Sequence, residues 1–102
     1  MGVPFDQTDY FPLRVFAFEA LAVAGTAVPF TAATIAGARL AVAKVEGAQI
    51  RYRTDGTAPT ATVGIPADPG DVITIYGSAD VQAFQTIRTG GVSATLSTEF
   101  SR

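Results

Sequence analysis

Glycine and proline punctuate this chain so often that no stretch between them sustains a helical apolar period, while several runs alternate with the period of two that a strand requires. The cleanest case is QIRYRTDG: Ile50, Tyr52 and Thr54 fall on one side, Arg51 and Arg53 on the other, and Asp55-Gly56 closes the run. Aspartate supplies a side-chain acceptor for the turn, and glycine takes a positive φ without strain. ADPGDV is a second stop, in which Pro69 presets φ for the second turn position and Gly70 accepts the positive φ of the third, as in a type II turn.

The remaining runs follow the same rule. LRVFAFEALAV, residues 13–23, reads as a strand with Leu13, Val15, Ala17, Leu21 and Val23 on one face and Phe16 and Phe18 on the other. Both faces are apolar, so both are expected to be covered. Gly25 and Thr26 mark a turn before AVPFTAATI, where Pro29 points to an edge or irregular strand. ARLAVAKVE, residues 38–46, mixes helix-favouring alanine with a period-two Leu40 and Val42; its shortness and the glycines at 37 and 47 favour strand.

DVITIYG sets Val72, Thr74 and Tyr76 against Ile73 and Ile75, with the tyrosines of both strands, Tyr52 and Tyr76, read as inward. VQAFQTIRT, then Gly90-Gly91, then VSATLSTEFSR reads as a two-residue hairpin between strands, with Ala94, Leu96, Thr98 and Phe100 inward. Roughly six to eight short strands without a usable amphipathic helix imply an all-β, Ig-like or jelly-roll-like β-sandwich. Residues 13–102 form its single domain. Residues 1–12 have two prolines and no regular period, and read as an extended N-terminal arm.

Composition narrows the function classes. A chain of 102 residues supports one core, and with Trp absent and alanine and valine abundant that core is thin, so self-association is a natural source of further burial. Lys44 is the single lysine, so the edges of an isolated sandwich have few charges to guard them. A net charge of −2 lacks the basic excess that nucleic-acid binding uses, so no nucleic-acid partner is expected. No segment has the composition of a membrane span, and the N-terminus lacks a basic region followed by an apolar one; no membrane partner and synthesis in the cytoplasm are the expectations.

Without histidine or cysteine, imidazole and thiolate triads and the usual zinc ligand sets are impossible. A base–nucleophile pair of Lys44 with Ser78, Ser93, Ser97 or Ser101 has no nucleophile-elbow setting. Asp68 and Asp71 flank a turn, Asp55 and Asp80 sit in other loops, and their spacing matches no calcium loop, which leaves turn capping. No catalytic, cofactor or metal residue is assigned, and no enzymatic activity is expected. Arg51, Arg53, Arg39, Arg14 and Arg88 would make an anion-contacting stripe if neighbouring strands aligned them; otherwise they are solvated or interface arginines, better suited to an acidic protein surface than to nucleic acid. Phe5, Tyr10 and Phe11 either cap the sandwich, if the arm folds back, or anchor in a neighbour's groove, if it reaches across. Together with Arg51 and Arg53 they are the candidate partner-binding residues.

IRYRTDGTAPT, Ile50 to Thr60, resembles the strand and turn of the small Ig-like domains at the ends of chitobiase- and hexosaminidase-type enzymes. The resemblance implies Ile50 and Tyr52 packed between sheets and Asp55, Gly56 and Pro59 shaping the turn. The longer run from Ala36 to Arg102, with IRYRTDGTAPTATVG, GDVI, F-x-x-I-R and a terminal ATL-x-x-x-x-SR, is similar to small tailed-bacteriophage proteins encoded among virion-assembly genes. That similarity implies a virion structural protein, expected to be a capsid decoration or cement subunit. It would bind the major capsid protein or other virion proteins as a homo-oligomer, a trimer being favoured. The alternatives are a head-tail connector or tail component, and a carbohydrate-binding Ig-like module.

Overall fold

A computed structural model describes residues 13–102. In chain order the elements are β1 (Val15–Val23), β2 (Val28–Pro29), β3 (Leu40–Glu46), β4 (Ile50–Arg53), β5 (Ile65–Ala67), β6 (Val72–Tyr76), α1 (Ser78–Ala83), β7 (Gln85–Arg88) and β8 (Ala94–Ser101). The strands make two four-stranded antiparallel sheets, β1-β8-β3-β6 and β2-β7-β4-β5. The all-β sandwich expected from the alternation is what forms.

The order has a simple origin. Ile50 lies opposite Ala67, Leu40 opposite Tyr76, Val28 opposite Thr86, and Leu21 opposite Leu96. These partners are nested almost symmetrically about the loop after β4, so the chain is one long antiparallel hairpin rolled into two sheets, the jelly-roll arrangement. The Asp55-Gly56 turn sits at the tip of that hairpin. Gly56 takes φ +84°, and the Asp55 carboxylate accepts from the Thr57 amide. At the second stop Gly70 has φ +94° and Asp71 N donates to Asp68 O at 2.9 Å, the type II turn read from ADPGDV.

Alternating side chains fill the space between the sheets. Ala41, Ala43 and Val45 of β3, Ile73 and Ile75 of β6, and Ala94, Leu96, Thr98 and Phe100 of β8 are buried. Residues 40–46 are strand, because only that conformation places the odd-numbered residues inside together. Small Ala41 faces Phe100 across the ladder, and this leaves room for an aromatic cluster. The Phe30 ring stacks on Phe84 at 4.4 Å between centroids and meets Phe100 edge-on at 4.9 Å. Among the described residues the two buried threonine hydroxyls bond backbone carbonyls: Thr86 Oγ1 donates across the sheet to Arg51 O at 3.0 Å, and Thr98 Oγ1 to Leu96 O at 3.3 Å.

Four expectations are corrected. Alternation in β1 breaks at a bulge between Val15 and Ala17; an extra residue inverts the facing on one side of it. Val15 is consequently exposed, while Phe16 packs on the core with the Arg102 guanidinium 4.1 Å over its ring. Phe18 keeps its outward direction but is left 60% exposed. Second, Gly90-Gly91 is no hairpin: β7 and β8 belong to different sheets, and the segment between them crosses the sandwich. Third, the run from Val81 is helix before it is strand. Val81 and Phe84, three residues apart and both fully buried, share the inward side of α1 and its exit. Tyr76 is the fourth, lying on the outside, 60% exposed.

Candidate functional site

The sheet β1-β8-β3-β6 turns outward a broad face on which exposed apolar side chains alternate with polar and charged ones. Strand register sets its rows: Phe18, Glu99, Val42 and Thr74 in one, Ala20, Ser97, Lys44 and Val72 in the next, with Leu40 beside Tyr76 at one end. Phe18, Val42, Val72 and Tyr76 are all exposed, although large apolar side chains normally leave the surface when a covering element exists. Three charges, Lys44, Glu46 and Glu99, interrupt the patch. Lys44 stands opposite Ser97, but the Ser97 hydroxyl donates to Glu46 Oε1 at 3.1 Å. On the outward strand face this pair is an exposed surface hydrogen bond.

The loop after β4 builds the second feature, on the other sheet. Arg51 and Arg53 leave β4 on its outer side, as alternation requires, and both are engaged by their own chain. Residues 59–64 fold back over Arg51, whose Nη1 donates to Gly64 O at 2.7 Å and whose Nε is buried without a partner. Pro59 is buried in this fold-back, and Gly64 lies so close that a Cβ there would come within 3.2 Å of Arg51 Cβ and Pro59 Cβ. Arg53 forks onto Asp55, with Nε 3.1 Å from Oδ1 and Nη2 on Oδ2. That hydrogen-bonded guanidinium, helped by the Thr57 amide, lowers the Asp55 carboxyl from its ordinary 3.8 to about 2. Between Arg53, Thr54, Asp55, Val63, Gly64 and Ile65 lies an open hollow of about 300 Å³. Its carboxylate is already paired with Arg53, so the hollow holds no group poised for proton transfer.

The arginines do not form one stripe. Arg88 lies opposite Ile50 in the ladder, on the inner side relative to Arg51, and its Nη1 donates to Ser93 Oγ at 3.0 Å. Arg39 and Arg14 belong to the other sheet, Arg39 before β3 and Arg14 paired with Arg102 through the backbone. Ile50 is fully buried and the Tyr52 ring lies 5.7 Å from Phe84, as the resemblance in this stretch implied. Asp68 and Asp71 cap their turn: Asp71 Oδ2 accepts from Asp68 N at 2.8 Å, and Asp68 Oδ1 accepts from Gln49 Nε2 at 2.8 Å. Among the described residues no three acidic side chains converge. Phe5, Tyr10 and Phe11 lie outside the described residues.

The apolar outer face was the surface that sequence reading missed. Its signal was present, since Phe18 and the outward side of VITIY are apolar, but an apolar face was equated with a covered one. In comparison with known proteins, no family model, no curated protein and no solved structure matches this chain.

Proposed function

We propose that this chain is a non-enzymatic structural subunit of a tailed-phage virion, acting as a decoration or cement protein that docks on the capsid shell. The observation that carries this reading is the outward apolar face of the β1-β8-β3-β6 sheet, with Phe18, Val42 and Val72 exposed together on rigid strands. A face of that kind binds by burial of area and shape fit, without chemistry. Jelly rolls recur in viral capsid and lectin domains, yet a fold hosts many functions and decides none. What supports shell docking is therefore the surface, together with the resemblance of residues 36–102 to virion-assembly proteins.

The arm supplies the second contact in this reading, Phe5, Tyr10 and Phe11 anchoring in a neighbouring capsomer. Many weak contacts repeated over a shell give avidity without a single tight site. The carbohydrate-binding alternative needs paired aromatic platforms, whereas Tyr52 packs inside against Phe84 and Tyr76 lies on the other sheet.

The test is co-sedimentation of the purified chain with heads of the phage that encodes it, using Phe18→Asp and Val42→Asp variants and a variant lacking residues 1–12. The wild type is expected to pellet with heads and each variant to pellet less. Wild-type binding that survives both face substitutions, or no binding at all, overturns the assignment.

A further inference from the structure

Charged side chains of the β1-β8-β3-β6 sheet gather by sign at its two ends. At one end three strands bring arginines together. Arg14 and Arg102 face each other beyond β1 and β8, each amide donating to the other's carbonyl, at 3.2 and 3.1 Å. Arg39 stands just before Leu40 of β3, and its amide donates to Ser101 O at 2.8 Å, beside Arg102. Neighbouring strands lie about 4.8 Å apart, so the three backbone positions span roughly 10 Å. All three residues are exposed. Arg102 is held in place, its guanidinium 4.1 Å over the Phe16 ring and its Nη1 donating to Ala36 O at 3.1 Å. Among the described residues no ion pair engages any of the three. Carboxylates on adjoining elements are placed elsewhere: Glu19 accepts from the Thr31 amide and hydroxyl, Glu99 lies on the outward face beside Val42, and Asp80 of α1 forms no ion pair.

The other end is acidic. Glu46 closes β3, and the turn carrying Asp68 and Asp71 abuts it, with Val45 N donating to Asp71 O and Gly70 N to Val45 O. Glu46, Asp68 and Asp71 are exposed, and each accepts a hydrogen bond from a neutral group: Ser97 Oγ, Gln49 Nε2 and the Asp68 amide respectively. None of them meets a cation among the described residues. Of the cations on adjoining strands, Arg88 donates to Ser93 Oγ and Lys44 forms no ion pair. Arg39 and Glu46 thus mark opposite ends of one interior strand, roughly 23 Å apart at 3.3 Å per residue. Like charges gathered at each end repel one another in a lone chain, and a surface of opposite sign relieves both.

We propose that the arginine row is a docking site for the acidic end of a second copy of this chain, so that copies associate head to tail along β3. Charge complementarity selects a second copy as the occupant, because both halves of the contact are present on every chain: Arg14, Arg39 and Arg102 at one end, Glu46, Asp68 and Asp71 at the other. Nucleic acid fits less well, since a chain of net charge −2 with a basic row this short neutralises few phosphates.

A contact between unlike ends is heterologous. It does not stop at two copies, and it either closes into a ring, as the trimer expected from sequence would, or continues as a filament. The ion pairs are exposed, so each is weak and screened by salt, which places the contact among small, transient ones with a Kd on the order of 100 µM at low salt. Neither the outward face nor a sheet edge is used, and the association does not depend on the shell-docking reading.

The test is sedimentation equilibrium of the full chain from roughly 10 µM to 1 mM, at about 20 and about 300 mM NaCl. At low salt the average mass is expected to rise past that of a dimer, and at high salt to fall toward the monomer. Arg39→Glu and Glu46→Lys are each expected to weaken association by at least about fivefold. Mixing the two variants, or combining both changes in one chain, is expected to restore it, because Glu at 39 then meets Lys at 46. That rescue separates a lost contact from a poorly folded variant. A strict monomer at low salt, a mass that stops at the dimer, association indifferent to salt, or a mixture that fails to associate overturns the inference. Heads that do not bind the wild type while this association persists count against shell docking alone.

Discussion

Truncating Phe84 to alanine tests whether the aromatic cluster is the centre of the core. Phe84 is fully buried, its ring stacked on Phe30 at 4.4 Å and 5.7 Å from Tyr52. Removing a buried phenylalanine ring costs about 3–5 kcal/mol through lost transfer energy and the cavity left behind. Each aromatic pair accounts for roughly 0.5–1.5 kcal/mol of that beyond area. A domain of this size holds only about 5–15 kcal/mol in total, so one truncation takes a large share. At about 4–8 °C per kcal/mol the melting temperature should fall by roughly 12–40 °C. Urea unfolding followed by circular dichroism gives the free energy, and a cycle of Phe30→Leu with Phe84→Leu isolates the coupling between the two rings. Phe18→Ala, on the exposed face, serves as the control and should lie within about 0.5 kcal/mol of wild type. A loss below about 1.5 kcal/mol for Phe84→Ala, or equal losses at residues 84 and 18, would refute this account of the core.

Gly64→Ala should destabilise more than Gly70→Ala by urea unfolding: both have positive φ, but only at Gly64 does a Cβ meet backbone and side chains, at 3.2 Å. Equal losses would mean that the fold-back over Arg51 yields freely. The Asp55 carboxyl should titrate near 2 and not at its ordinary 3.8. Because the folded value is the lower one, the Arg53 pair contributes fully above pH 3.8 and is lost as pH falls through about 2; carboxyl ¹³C shifts in wild type and Arg53→Gln check it, and a wild-type midpoint unmoved from the ordinary value contradicts the pairing. Nested pairing of Leu21 with Leu96 and of Leu40 with Tyr76 makes most contacts distant in sequence, so refolding should take milliseconds to seconds in stopped-flow measurements, and microsecond folding would contradict a rolled hairpin.

Local chemistry was legible wherever one residue type answers one backbone need. Gly56 and Gly70 stand where φ is positive and Pro29 marks an edge; β3 was legible as a strand from Leu40 and Val42, although these turn outward and Ala41, Ala43 and Val45 are the buried ones. Those features depend on a residue and its near neighbours, so the amino-acid order alone determined the all-β class, most strand positions and the two turns. Only tertiary structure decided which strand lies beside which, because period-two patterns carry no partner label. The same pattern that makes Val72, Thr74 and Tyr76 one face cannot say whether a second layer covers it. Gly90-Gly91 joined two sheets where a hairpin was expected, and the β1 bulge reversed Val15, since both outcomes are set by how two sheets pack over Phe30, Phe84 and Phe100. The candidate surface belongs to that second category. Its residues were visible one by one, but exposure is a property of layers, and layers exist only once the hairpin has rolled up.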